Sequence, residues 1–96
     1  MAIDADANFF KRADAHIDLS NNQIEDVARD KVSASMMYGL ARFNAWISAC
    51  EFESGWQLAA ARDQKIDFFM TQFRQMLEEN FDDYADNFDR YMKRRE

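Results

Sequence analysis

The amino-acid sequence predicts an all-α protein: a compact antiparallel bundle of three long helices and a shorter C-terminal fourth, in one domain spanning 1–96. Three observations predict it. Apolar residues recur every three or four positions almost throughout, which is the period of one helix face. The chain has no proline and only two glycines, Gly39 and Gly55, so it lacks the turn residues that sheets and tight hairpins need. Fourteen aromatic residues, nine of them Phe, offer large areas for a core.

The first helix is expected over about 5–27, with Phe10, Ala13, Ile17, Ile24 and Val27 on its apolar stripe. Asp4 or Asp6 caps its start. Ser20–Gln23 is its weak point, because Asn22 with Glu25 also fits a capping box that opens a new helix. The stripe crosses this stretch without a phase change, so continuity is expected.

The second helix is expected over about 31–51, with Asp30 as its N-cap. Val32, Met36, Leu40, Phe43, Ile47 and Cys50 are spaced by 4, 4, 3, 4 and 3 residues. Met37, Ala41, Ala45 and Trp46 widen this stripe, and a helix so broadly apolar belongs at the centre of a bundle. Gly39 lies mid-helix, where it costs about 1 kcal/mol relative to Ala. Close packing against a neighbour would explain it.

Glu51 to Gly55 reads as a loop, and Ser54 with Gln57 as a capping box opening the third helix over about 55–79. That helix carries Ala59, Ile66, Phe69, Phe73 and Leu77, with Met70 and Met76 beside them. The stripe continues through Phe81, Tyr84, Ala85, Phe88, Tyr91 and Met92. One helix of that length would span about 55 Å, too long for a compact domain of this size. Asn80 with Asp83 supplies a second cap, so a break is expected near 80 and a fourth helix over about 81–94.

The net charge of −6 repels phosphate backbones and anionic lipid, which argues against nucleic-acid and membrane partners. The basic tail Arg90, Lys93, Arg94 and Arg95 reads as cations complementing a helix C-terminus. Cys50 is the sole cysteine, so no intrachain disulfide forms, and a reducing cytoplasm is the expected location. Met1 to Asp6 is acidic and carries no apolar leader segment.

Chemistry-bearing residues are sparse. His16, the sole histidine, lies outside any paired Glu-x-x-His arrangement and reads as a surface histidine. Cys50 falls on the apolar stripe and reads as a buried structural thiol. Asp82, Asp86 and Asp89 share one helix face, without the glycine and fixed loop of an EF-hand, and read as a solvated surface. Arg42 and Asn44 interrupt an otherwise apolar helix, and Tyr38 lies one turn before Arg42. Polar groups there must be exposed, paired or used, which makes Tyr38, Arg42 and Asn44 the candidate ligand-binding residues. No Gly-rich phosphate loop, nucleophile elbow or Cys pair is present. The sequence therefore predicts no enzyme, no catalytic residue, no metal ligand and no cofactor.

Three blocks agree in order with a known family. They are Phe9-Phe10-Lys11-Arg12-Ala13-Asp14-Ala15-His16-Ile17; Lys31-Val32-Ser33-Ala34-Ser35 followed by Ala41-Arg42-Phe43-Asn44-Ala45; and Met76-Leu77-Glu78-Glu79-Asn80-Phe81-Asp82-Asp83-Tyr84 followed by Asn87-Phe88-Asp89-Arg90-Tyr91. Over about residues 9–92 the chain resembles a proteobacterial family of small all-helical proteins of unknown function. The resemblance implies a bacterial, cytoplasmic protein and brings with it no activity, cofactor or site residue.

Two functional expectations follow. The first is a non-enzymatic interaction module, binding a protein partner or forming a homodimer. Large apolar side chains, notably Trp46, Phe52 and Trp56, exceed what one small bundle needs. The second is a small-ligand or metal-ion binding protein, using the polar strip on the second helix or the acidic face of the C-terminal helix.

Overall fold

A computed structural model describes residues 6–93. It is all-α, with α1 Phe9–Gln23, α2 Arg29–Ala49, α3 Gly55–Ala60, α4 Arg62–Asp86 and α5 Phe88–Met92. The chain divides into two units, Met1–Glu53 and Ser54–Glu96.

In the first unit, Asp6 fastens the start of α1. Its side chain accepts the Asn8 amide at 3.1 Å and pairs with Arg12 at 3.2 Å. Asp6 is nevertheless not the N-cap: Asn8 is, and α1 begins at Phe9 rather than about 5; Asp4, the other candidate, lies outside the described residues. Helix α1 runs through Ser20 and Asn22, as the unbroken stripe requires, but stops at Gln23 rather than 27. The amides of Asp26 and Val27 both turn back onto the Gln23 carbonyl, which closes the helix there. Helix α2 starts two residues earlier than expected. Asp30 is therefore not the N-cap; Ala28 is, and Asp30 sits in the first turn, where its charge complements the helix dipole. Helices α1 and α2 are in contact, and the Ser20 hydroxyl donates to the Met36 sulfur at 3.4 Å.

The expected aromatic core centred on α2 is not observed. Among the described residues Val32, 5% exposed, is the one buried hydrophobic side chain, and Ser48 is the one buried polar side chain. Both lie on α2, whereas Met36, Met37, Tyr38, Leu40, Phe43 and Trp46 on the same helix are exposed. Ser48 satisfies its hydroxyl locally by donating to the Asn44 carbonyl at 2.9 Å. Gly39 is not explained by close packing either, since an added Cβ there meets nothing within 4 Å. Gly39→Ala is accordingly expected to stabilise the protein by about 1 kcal/mol through helix propensity alone. A urea midpoint that fails to rise would show that the glycine serves a contact.

In the second unit, Ser54 caps α3 as its capping box predicts, with its hydroxyl accepting the Gln57 amide at 3.3 Å. Ser54→Ala is expected to lower stability by about 1 kcal/mol, measured by thermal denaturation, and Ser54→Asp to restore most of it. The expected third helix over 55–79 is interrupted at Ala61, one residue wide. The hydrogen-bond ladder crosses this point, because Lys65 donates to the Ala61 carbonyl at 3.0 Å.

The break expected near Asn80 does not occur, and α4 runs on to Asp86. Asn80 turns its side-chain amide backwards, donating to the Met76 carbonyl at 2.8 Å, so it does not cap the residues ahead. The interruption comes instead at Asn87, whose φ of −118° and ψ of 28° leave the helical range. Asn87 donates from its side chain to the Asp83 carbonyl at 3.0 Å and to the Asp83 carboxylate at 2.9 Å. The Tyr91 hydroxyl donates to the same carboxylate at 2.9 Å, and its ring lies 4.7 Å from that of Tyr84. Asp83 therefore fastens α5 to the end of α4. Arg90 occupies the last turn of α5, as the dipole argument expects; Arg94 and Arg95 lie outside the described residues.

Candidate interaction surface

The residues expected to bind a ligand do not converge. Tyr38 and Arg42 lie one turn apart on α2 and are both exposed. Asn44 is half-buried and follows Arg42 by two residues, which is about 200° around the helix. It shares its side with Ser48, whose hydroxyl uses the Asn44 carbonyl. His16 is exposed, as expected. Cys50 is also exposed, contrary to the expectation of a buried thiol, because it falls at the C-cap of α2, just beyond the last helical turn. Among the described residues no three of His, Cys, Asp or Glu gather closely enough to hold a metal ion. Asp89 on the acidic face pairs with Lys93 at 3.3 Å. A shallow, open depression at the α1–α2 turn is lined by Ile24, Val27, Ala28, Arg29 and Asp30.

What the described residues do present is apolar surface. Trp46 is exposed and lies 5.8 Å from the ring of Phe43, also exposed. Phe52 is half-buried in the loop after α2. Trp56, in the second unit, is 74% exposed. Ten aromatic rings in all are exposed among the described residues, far more than the scattered apolar side chains ordinary on a monomer surface.

The longest ordered run of this surface is on α4 and the start of α5. Ile66, Met70, Phe73, Leu77, Phe81, Tyr84 and Phe88 are spaced by 4, 3, 4, 4, 3 and 4 residues, and all are exposed. At about 100° per residue, the six on α4 fall within about 40° of Leu77 around the axis, and Phe88 follows on α5 past the interruption at Asn87. The half-buried side chains Phe69, Gln72 and Met76 lie on a different face. Apolar periodicity reveals this stripe and its continuation past 80, but the expected break divides it between two helices, and Phe69, expected on it, lies on another face while Met70 takes its place.

Known proteins fit this architecture. A family described as protein of unknown function (DUF3144) matches residues 9–85, most of both units. The chain belongs to the DUF3144 family. The resemblance read from the three sequence blocks is thereby confirmed over residues 9–85. The chain is also similar to the NMR structure of the protein NB7890A from Shewanella sp., with 36% identity and a TM-score of 0.76. The match covers 93% of this chain and 95% of that one. No curated protein matches the chain. No helix among the described residues is long and apolar enough to cross a membrane.

Proposed function

We propose that the chain is a non-enzymatic protein-interaction module of the bacterial cytoplasm, acting as a single helical domain. The observation that supports this reading is the exposure of ten aromatic rings, together with the apolar stripe on α4. Apolar surface on this scale is unfavourable in water at roughly 25 cal/mol per Å², and a partner that covers it recovers that free energy. The acidic charge and the lone cysteine agree with a reducing, protein-rich compartment and disfavour nucleic acid. Tyr38, Arg42 and Asn44 lend no comparable support to a ligand site, since they do not share a face.

Photo-crosslinking in living cells tests the reading, with a photoreactive residue placed at Trp46 in one experiment and at Phe81 in another. Adducts above the monomer mass are expected at one or both positions. Recovery of the uncrosslinked chain alone at both would overturn the proposal.

A further inference from the structure

We infer that the α4 stripe is a self-complementary surface, on which a second copy of this chain packs antiparallel. This inference rests on the interaction reading above and names the partner for its most ordered surface. The spacing of the stripe reads the same in both directions about Leu77. A two-fold axis through Leu77 places Ile66 against Phe88 of the other copy, Met70 against Tyr84, Phe73 against Phe81, and Leu77 against itself. A closed dimer has this property: residue i meets j, and j meets i.

The period supports the same geometry. Ile66, Leu77 and Phe88 are separated by 11 residues, a repeat of about 3.67 residues per turn that stays close to a straight helix. Along α4 the stripe therefore stays on one side without a left-handed supercoil. The one-residue interruption at Asn87 preserves the ladder, since Asn87 donates to the Asp83 carbonyl and Tyr91 to the Asn87 carbonyl.

Area and charge then select a second copy in the antiparallel sense. The seven side chains are 39–68% exposed. At roughly 200 Å² per large side chain they present on the order of 700 Å². A standard stable interface buries about 800 Å² on each partner. Residues 62–74 of α4 carry Arg62, Lys65 and Arg74 against Asp63 and Asp67. Residues 75–86 carry Glu78, Glu79, Asp82, Asp83 and Asp86 and no cation. Antiparallel pairing sets Arg74, about 60° from Leu77 around the axis, level with residue 80 of its mate and near the mate's Glu78, about 100° from Leu77 on the same side, while Glu79, Asp82 and Asp86 lie on the far face of each helix. Parallel pairing would put Arg74 level with Arg74 and leave this complementarity unmade.

Sedimentation velocity on the purified full chain tests the inference. The wild type is expected to sediment as a dimer at micromolar concentration. Phe81→Asp is expected to weaken association by about a hundredfold or more, because each substitution appears twice in the interface, with helical circular dichroism retained. A second measurement does not depend on that variant. In a Cys50→Ser background, Leu77→Cys is expected to give a covalent dimer with a short bismaleimide, whereas Gln72→Cys, on another face, does not. A monomeric wild type overturns the inference, whether another protein or the chain's own residues cover the stripe. So does a dimer that Phe81→Asp leaves intact and Leu77→Cys fails to crosslink. If the purified chain is monomeric yet crosslinks to other proteins in cells, the interaction reading stands and self-association alone is lost.

Discussion

Replacing Asn80 by Pro is expected to destabilise the protein by about 3 kcal/mol or more, because residue 80 lies in the interior of α4. Proline removes the backbone amide that closes a helical turn, and its ring clashes with the carbonyl four residues earlier, that of Met76. That carbonyl also accepts the Asn80 side-chain amide at 2.8 Å, a second bond the substitution removes. The magnitude separates two arrangements of the same sequence. A helix that began at residue 80 would tolerate Pro near its first turn, where an amide lacks an intrahelical partner in any case. Asn80→Ala is the control, since it keeps the ladder and raises helix propensity, and it is expected to change stability by well under 1 kcal/mol. Urea unfolding followed by circular dichroism measures both variants. A proline variant as stable as the alanine variant would place a break at 80.

Val32→Asp is the second large effect, expected at about 3 kcal/mol and confined to the α1–α2 unit. Val32 is the buried hydrophobic side chain of the described residues. A short carboxylate there cannot reach water, and a buried charge without a partner costs several kcal/mol. The position lies one turn into α2, so the helix dipole offsets at most about 1 kcal/mol of that penalty. Burial therefore outweighs the dipole. Val32→Ala removes two methyl groups and is expected to cost about 1.5–2 kcal/mol. Because small domains are stable by only about 5–15 kcal/mol, the Asp variant should show clear loss of amide protection in α1 and α2. Equal stability of the Asp and Ala variants would mean that residue 32 is solvated.

Three features of the fold were legible because their causes are local. The helical period, the absence of proline and the Ser54 cap depend on residues within one or two turns of each other, and α1, α2 and the start of α3 follow from them. The expected break at Asn80 went wrong for an equally specific reason. Asn at 80 is compatible both with capping forward and with bonding back to residue 76, and the structure takes the second. The real interruption at Asn87 depends on Asp83 receiving both Asn87 and Tyr91, a convergence across eight residues that no single capping pattern reports.

The exposed apolar surface was half legible. Ile66, Phe73 and Leu77 stood out at once as a stripe, as did Phe81, Tyr84 and Phe88, but the assumed break divided them into two helices. Trp46 and Trp56 were singled out from the excess of large apolar residues, and both are exposed. Sequence alone was enough for an all-α chain, for helices α1 and α2 to within a few residues at most ends, for the cap that opens the second half and for the family, but not for the interruptions at Ala61 and Asn87. Tertiary structure alone decided which apolar faces are covered: Val32 and Ser48 are buried, while the rings of Phe43, Trp46 and Phe81 face solvent. The physical reason is that periodicity registers a helix's apolar face, whereas burial depends on what lies opposite it, and that is set by residues distant in the chain.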